Sequence, residues 1–329
     1  MSNRVNYKER LDAFSKEIFG KKTETSSEIK IKQRIYNTAF WEGMQTGYVS
    51  NALKEGSDGS GGYLVPDEFD ERIIKALEEE NILRKLGKVI KTEQNLRYPR
   101  LINTVDADWC DESGFCRVGD CEFDELVFDA HKLGVLTKLT NELIEDSPYD
   151  VECLVRDLFV IKMKRKEEEA FFKGNGNHKP LGIIHQAQVG VTSENKGAIS
   201  FDDVVDLYHS VKIPYRKEAV WLMSEEACNE LKKIKTQNGF YLWDKETGKP
   251  DKLLGKQVYI TTELDAVESG NKPILFGDFS YFWIAERGKR NIKRLSEKYA
   301  DEGMIGYLTF QRVDAKIVDP EAIKSLEIK

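Results

Sequence analysis

The stretch 141–181 reads NELIEDSPYDVECLVRDLFVIKMKRKEEEAFFKGNGNHKPL, and it decides the fold of this chain. Asp150 stands where a helix can be capped, and Gly174 stands where one can end. The sequence therefore predicts one helix from residue 150 to 173, about 36 Å long at 1.5 Å per residue. Such a helix is longer than the usual three to four turns of a globular protein.

The apolar pattern of this helix changes halfway along it. In the first half, apolar residues at helical spacing share one face: Val151, Leu154, Val155, Leu158, Phe159 and Ile161. In the second half, charged residues occupy that same face: Lys162, Arg165, Lys166 and Glu169. The first half can therefore bury in a core, whereas the second half must leave that core or meet charged partners. Periodicity alone favours a long surface helix of an α/β domain over a strut in a larger assembly.

Composition sets the limits of the fold and of its partners. The chain has 329 residues, 40% of them hydrophobic, which is enough for a core and two lobes. No apolar run approaches the ~18 residues of a membrane span, and the polar N-terminus lacks the apolar segment of a signal peptide. We therefore expect a protein made and folded in a cytoplasm. The formal net charge of −7 disfavours a general nucleic-acid-binding protein.

The sequence offers little material for catalysis or metal binding. It has no Gly-x-Ser-x-Gly elbow, Walker lysine, HExxH motif or Rossmann glycine fingerprint, and only four histidines. Cys110, Cys116 and Cys121, with His131 nearby, lack the CxxC pairing of a zinc site. We expect no enzymatic activity, no cofactor and no metal. The five cysteines are expected as reduced thiols, and disulfides formed after release from the cell remain an open alternative.

A long excursion occupies residues 89–139. Segments 96–101 and 125–130 are strand-like, but about 25 residues between them have no regular pattern. Structureless segments of this length are uncommon in compact domains and are usually functional or bound to a partner. Trp109 and Phe115 within it are therefore candidates for burial at a contact between subunits.

The order of these motifs resembles the major capsid proteins of tailed bacteriophages with the HK97-type fold. A Leu-Gly-Val strand runs into Asn-Glu-Leu-Ile-Glu-Asp-Ser, and after the long helix comes Phe-Phe-Lys-Gly-Asn-Gly…Lys-Pro-Leu-Gly-Ile. Gly-Gly-Tyr-Leu-Val-Pro at 61–66 resembles the entry into the folded body, and Val-Asp-Pro at 318–320 resembles the final strand ending. The resemblance covers residues 35–329.

The resemblance implies an α+β fold with the parts of an HK97-like capsid subunit. These are a tail or short assembly segment (1–32), an extended N-arm (33–62), a peripheral domain (63–91 and 139–200) with the spine helix at about 150–173, an E-loop hairpin reaching over a neighbour (92–138), an axial domain (201–286), and strands returning to the peripheral domain (287–329). The Lys- and Arg-rich segment 287–298 is expected to be the solvated face of a returning strand.

Two sets of residues are candidates for assembly. The predicted contacts between subunits are Phe40, Trp41, Trp109, Phe115, Arg117, Phe240, Tyr241 and Trp243, and the spine helix is marked by Leu154, Leu158, Arg165 and Glu169. Some family members form covalent cross-links through a lysine, an asparagine and a glutamate. The corresponding loop tip here offers Phe115, Cys116 and Arg117, so no self-catalysed cross-link is expected.

The resemblance also implies a function. The chain would be a structural protein, a major capsid subunit that assembles with itself into the hexamers and pentamers of an icosahedral shell around phage double-stranded DNA. It would contact that DNA only non-specifically, and a scaffolding protein, a portal and a maturation protease would be its partners. It would reside in the virion capsid after assembly in the bacterial host cytoplasm, without a membrane. Two alternatives remain open: an encapsulin-like nanocompartment shell, and an α/β enzyme with a lid at 106–121.

Overall fold

A computed structural model describes residues 26–46, 63–64, 67–103, 122–146, 151–235, 243, 252–288 and 290–329. The chain divides into two units, residues 1–57 and residues 58–329. Within the described ranges, no helix combines the length and the apolar character that crossing a bilayer requires.

The described helices are α1 (Ser26–Thr46), α2 (Asp67–Glu80), α3 (Ile82–Leu86), α4 (Asn141–Asp146), α5 (Val151–Lys173), α6 (Ile183–Gln186), α7 (Phe201–Ser210), α8 (Ile213–Arg216) and α9 (Glu225–Lys233). The described strands are β1 (Tyr63–Leu64), β2 (Lys88–Thr92), β3 (Leu96–Asn103), β4 (Glu122–Phe128), β5 (His131–Thr140), β6 (Gln188–Thr192), β7 (Val220–Ser224), β8 (Lys252–Leu253), β9 (Lys256–Thr261), β10 (Ile274–Gly277), β11 (Phe282–Arg287), β12 (Asn291–Leu295), β13 (Met304–Ile317) and β14 (Ile323–Glu327).

The first unit contains α1, and this helix corrects one prediction. Residues 33–46 are helical, so the extended conformation predicted for the start of the arm is wrong. Phe40 and Trp41 are buried in the single chain, and their predicted contact with another subunit stays a prediction. The physical reason is a four-residue spacing of Tyr36, Phe40 and Met44, which places their side chains on one helical face. The rest of the predicted arm, up to residue 62, lies outside the described residues.

The first sheet of the second unit is built around the long strand β13. Its strand order is β1-β12-β13-β11-β2, with β5 paired to β13 as well. β13 is antiparallel to β5, β12 and β11, and β2 joins β11 in parallel. Ten residues of β13, from Met304 to Val313, pair with β5. β13 therefore holds a strand that lies 164 to 182 residues earlier in the chain.

The second sheet has the order β6-β14-β10-β7-β9-β8. Trp221 stacks on Phe276 in its core, with 4.1 Å between the ring centroids. The prediction that all of residues 287–329 return to the peripheral domain is wrong. The last strand, β14, lies in the second sheet, where it pairs with β10 and β6. The second sheet also contains β6, although β6 lies before residue 201, where the axial domain is predicted to begin. Conversely, β11 belongs to the first sheet, although it begins before residue 287, where the return strands are predicted to begin. Local sequence patterns do not reveal these pairings, because each partner lies far away along the chain.

Helix α5 begins and ends within a residue of the predicted bounds, at Val151 and Lys173. Gly174 ends it in a crowded place, where a Cβ atom would lie 1.9 Å from the carbonyl oxygen of Pro180. Any residue with a side chain would therefore displace the turn. The same glycine accepts a backbone hydrogen bond from Gly182 at 2.8 Å, which fixes the chain reversal after the helix.

The second half of α5 stays inside the body instead of leaving it. A buried stripe with a four-residue spacing runs along the whole helix: Val155, Phe159, Met163, Glu167 and Phe171. Ile161, predicted on the buried face, has 63% of its surface exposed. The stripe crosses the charged half because Glu167 meets an arginine in the core. The sequence pattern allowed the second half either to leave the core or to meet charged partners, and the structure shows the second outcome.

Glu167 belongs to a buried network of charges, the Arg84 cluster, made of Asp70, Arg84, Glu167, Glu286, Arg290 and Gln311. Arg84 donates to both oxygens of Glu167, from Nε at 2.7 Å and from Nη2 at 2.6 Å. Its Nη1 lies 2.6 Å from Oε1 of Glu286 on β11. Gln311 of β13 donates to Glu167 at 2.6 Å. One arginine therefore joins α3 to α5 and to the first sheet.

Arg290 completes the cluster from the segment predicted to be solvated. It is buried, and it contacts Asp70 of α2 at 2.7 Å and Glu286 at 3.3 Å. It also donates to the side-chain oxygen of Gln311 at 3.0 Å. The prediction that 287–298 forms a solvated face is therefore wrong at this residue, because buried carboxylates require a cation inside the body.

Two members of the cluster, Arg84 and Glu286, have shifted pKa values that favour their ionised forms. Burial opposes the charge of Arg84, but Glu167 and Glu286 outweigh it and raise the arginine pKa further above its usual range. Burial also opposes the charge of Glu286, and here Arg84 and Arg290 prevail and hold the carboxyl pKa below its usual value. Arg84 and Glu286 therefore each favour the ionised form of the other.

Replacing Glu167 with Gln should lower the free energy of unfolding by about 3 kcal/mol, because it leaves part of the buried Arg84 charge uncompensated. The matched control is Glu169→Gln, which breaks the exposed pair with Lys166 at 2.7 Å and should change stability by no more than about 0.5 kcal/mol. Urea unfolding of the two variants measures both values. Equal losses would contradict a structural role for the cluster.

Acid should weaken the fold partly through Glu286. Because its folded-state pKa is lowered, its contribution to stability is present above its unfolded pKa and is lost as the pH falls through the folded value. We expect the unfolding free energy of Glu286→Gln to fall less steeply than that of the parent between about pH 5 and about pH 3. Urea titrations across this range measure the difference. Parallel pH profiles would contradict the assignment.

Candidate assembly surfaces

The described part of the predicted E-loop is an antiparallel hairpin. β3 and β4 pair from Leu96 opposite Phe128 to Asn103 opposite Glu122, and they form a sheet of two strands. Eight residues of β3 extend about 26 Å at 3.3 Å per residue. Residues 104–121, which connect the two strands, lie outside the described residues.

The root of the hairpin is packed onto the first sheet. Phe128 is buried against Ala285 and Val318. The Tyr98 ring meets Trp283 edge-on, with 4.8 Å between the centroids. These contacts are apolar and aromatic, and they attach the hairpin base to β11 and to the end of β13.

Asp314 of β13 holds the turn where β4 passes into β5. Its carboxylate accepts hydrogen bonds from the backbone N–H groups of Asp129 and Ala315, each at 2.8 Å. His131 lies 3.8 Å from the same carboxylate. Burial raises the pKa of Asp314 against the opposing effect of the two backbone donors. The direction in which the hairpin leaves the body is thus set by a buried side chain of the central strand.

Among the described residues of the outer hairpin, the side chains at 97 and 123–125 are exposed and form no core. Arg97 pairs with Glu125 at 3.3 Å and Arg100 pairs with Asp124 at 2.7 Å, both at exposed positions. Exposed ion pairs stabilise little, and a two-stranded hairpin is marginal by itself. Phe123 has 67% of its surface exposed among these charges. This surface combines one large apolar group with a charged rim, which is the composition of a contact site.

The predicted contact residues have different outcomes. Trp109, Phe115, Arg117, Phe240 and Tyr241 lie outside the described residues. Trp243 is buried in the core of the second sheet, and its contact with another subunit stays a prediction. The physical reason is that its ring packs with the apolar residues around Trp221, and the Lys232 ammonium lies 5.2 Å from its centroid.

The spine-helix residues are placed on α5 as expected. Leu154 and Leu158 are half-buried and Arg165 is exposed. Glu169 contacts Lys166 at 2.7 Å, three residues away. None of these four residues lies in the Arg84 cluster.

Sequence reasoning missed Phe123, Asp314 and Arg84. Phe123 carried a usable signal, because it stands between acidic residues in a strand-like segment and cannot share their solvation. Arg84 and Glu167 carried none, since 83 residues separate them and only the fold brings them together.

Within the residues that the structure describes, no group of three or more His, Cys, Asp or Glu side chains is arranged to hold a metal ion. Cys153 and Cys228 are present there as free thiols. The described surfaces instead offer exposed apolar and charged side chains, which are suited to contact between chains.

Known proteins share parts of this sequence and this architecture. The profile of the phage capsid family matches residues 61–328. The major capsid protein of Klebsiella oxytoca phage phiKO2 is 28% identical over 132 residues, which cover 39% of this chain. The match spans about a third of that relative's length, 31%.

Two solved structures show the same fold. The capsid of a native GTA particle computed with C5 symmetry superposes with a TM-score of 0.68 at 24% identity, covering 75% of this chain and 89% of that one. A chain of Gordonia phage Cozz superposes with a TM-score of 0.58 at 14% identity, covering 76% and 87%. These relatives give no support to the nanocompartment or enzyme alternatives.

The fold is α+β and of the HK97 type. The family profile covers most of the chain, from residue 61 to residue 328. This chain belongs to the phage capsid family.

Proposed function

We propose that this chain is the major capsid subunit of a tailed phage or prophage, and that its copies associate as hexamers and pentamers into an icosahedral shell around double-stranded DNA. The observation that carries the proposal is the hairpin β3–β4. Its root is fixed by buried contacts, whereas its outer part exposes Phe123 and two ion pairs. Such a surface is completed by burial against another copy of the chain.

The body supplies the fixed part of each subunit. The Arg84 cluster ties helices α2, α3 and α5 to β11 and β13 through contacts of 2.6 to 3.3 Å. A shell that places one sequence in both five-fold and six-fold rings needs contacts that adjust while the body stays the same. The hairpin and the arm at 33–62 are the segments proposed to adjust.

The two sheets correspond to two proposed positions in a ring. The first sheet with α5 would form the peripheral domain, and the second sheet with α7 and α9 would form the axial domain around the ring centre. Ring contacts join different surfaces of neighbouring subunits, and they close when the rotation between copies closes. The hairpin would extend from the first sheet over the next subunit in the ring.

Charge supports the proposed role as a container. A net charge of −7 disfavours tight binding of the wall to DNA, so contact with the packaged DNA would be non-specific. A scaffolding protein, a portal and a maturation protease are the further proposed partners. Assembly would take place in the cytoplasm of the bacterial host, and the finished subunit would reside in the virion.

Deleting residues 109–121 should leave a folded, soluble subunit that does not form closed shells. The deletion removes the proposed contact residues at the hairpin tip and keeps β3, β4 and the buried root. Circular dichroism and thermal unfolding check the fold, and negative-stain microscopy with sedimentation checks assembly. Shells of normal size from a well-folded deletion variant would refute the proposed role of the hairpin.

Replacing Phe123 with Ser tests the described surface of the hairpin. Because the side chain is exposed, the unfolding free energy of the subunit should change by no more than about 0.5 kcal/mol, while the yield of shells falls. A matched control is Ile213→Ser, which removes an exposed apolar residue from helix α8. Light scattering during assembly compares both with the parent. Normal assembly of Phe123→Ser would show that this residue takes no part in the contact.

A further inference from the structure

One face of the first sheet carries a surface that neither the hairpin root nor the Arg84 cluster explains. Along β5 and the first part of β13, buried residues alternate with residues that are exposed or half-buried. Side chains of the buried set contact α5, as Thr137 and Gln311 do. The other set lies on the opposite side of the sheet and forms what we call the basic face: Lys132, Leu136, Lys138, Leu308, Phe310 and Arg312.

Aromatic rings hold lysine side chains against this face. A Cβ atom at Gly134 would lie 2.8 Å from the Phe310 ring, so the glycine makes room for the ring on the sheet. The Lys132 ammonium lies 3.7 Å from the centroid of that ring. At the other end of the face, the Lys138 ammonium lies 4.2 Å from the Tyr299 ring. These cation–π contacts keep positive charge at the surface of the sheet.

The positive charge of the basic face is only partly neutralised. Lys132 lies directly opposite Arg312 on the neighbouring strand, and like charges in this position destabilise a sheet. Both residues are exposed, and neither forms an ion pair within the described ranges. Asp314 is buried and holds the hairpin turn instead, whereas Lys138 is paired with Glu302 at 2.7 Å. Two adjacent cations are therefore left for a carboxylate from another chain.

Residues 104–121, which connect β3 to β4, have a composition that complements this face. They contain five acidic residues and one basic residue, which gives a net charge of −4, together with Trp109 and Phe115. The hairpin that carries them does not rest on its own subunit at its outer end. Phe123 and Asp124 belong to opposite faces of β4, and both are exposed.

We propose that the basic face is the docking site for residues 104–121 of a neighbouring copy of this chain. The inference rests on the proposed function and names the surface on which the hairpin would end. Carboxylates of the segment accept hydrogen bonds from Lys132 and Arg312, which relieves the repulsion between these cations. Aromatic side chains of the segment contact Leu136, which is 37% exposed, and the half-buried Phe310.

A protein segment suits this face better than a nucleic acid does. Binding of a phosphate backbone uses cations along an extended groove, whereas the Lys138 ammonium is already paired with Glu302. The net charge of −7 also opposes a polyanion. Two adjacent cations beside apolar groups match a short acidic segment that contains aromatic residues.

The test measures the binding of a fluorescent peptide of residues 104–121 to the purified, unassembled full chain, by fluorescence polarisation under reducing conditions. Lys132→Glu combined with Arg312→Glu should weaken binding about tenfold or more, because attraction becomes repulsion. The matched control is Lys196→Glu combined with Lys252→Glu. It makes an equal charge change at exposed positions outside the first sheet and should bind like the parent.

A peptide of reversed charge gives a second readout. Asp108→Lys, Asp111→Lys and Glu112→Lys in the peptide should abolish binding to the parent chain and restore binding to the Lys132→Glu/Arg312→Glu chain. Thermal unfolding checks that each variant is folded. If the double glutamate variant is not folded, Lys132→Gln combined with Arg312→Gln removes the charge without reversing it and should still weaken binding of the native peptide.

Saturable binding with this pattern supports the proposal. No saturable binding to the parent, equal weakening by the control variant, or unchanged binding after the charges of the face are removed overturns it. Tighter binding of a labelled single-stranded oligonucleotide of equal charge would assign the face to nucleic acid and overturn it too. Because the unassembled subunit is used, failure of this docking is distinct from failure of the proposed function, which would show as an absence of shells from the parent chain.

Discussion

The Arg84 cluster is the constraint on which the rest of the structure depends. A guanidinium group buried in a protein interior is costly unless carboxylates neutralise it with good geometry. Here Glu167 receives two donors from Arg84, and Glu286 receives a third. Because these residues come from α3, α5 and β11, the ion pairs hold the three elements together.

That arrangement determines how the hairpin leaves the body. Gln311 of the cluster and Asp314 of the hairpin turn lie three residues apart on the same strand, β13. The first binds Glu167 of the long helix, and the second accepts the backbone N–H of Asp129 at the hairpin base. One strand therefore connects the packing of the helix to the position of the hairpin. The exposed outer hairpin is then carried by a body that does not need it for its own core.

Sequence reasoning found the elements that are coded locally. The helix ends at Gly174 because that glycine is required by a close contact, and its flanking motifs identify the fold. The two strands of the hairpin follow from their alternation. The reasoning failed where distant residues decide the outcome. Arg290 looked solvated because one of its acidic partners, Asp70, lies 220 residues earlier in the chain. β14 looked like a return strand because its pairing with β6 has no local signal.

The arm shows a different source of error. Residues 33–46 were predicted as extended from their place in the family order, although Tyr36, Phe40 and Met44 have the spacing of a buried helical face. In that case the residue pattern contained the right answer, and the resemblance outweighed it. Trp243 is similar, because an aromatic residue in a polar loop suits a contact site and a core equally well. Only the packing around Trp221 distinguishes the two.

The central claim is that the outer hairpin finishes its burial only against other copies of the chain. Hydrogen–deuterium exchange of the unassembled subunit and of assembled shells measures this directly, residue by residue. The account predicts that the amides of β3 and β4 exchange quickly in the subunit and slowly in the shell, while those of β13 exchange slowly in both. Equal, slow exchange of the hairpin in both states would contradict it.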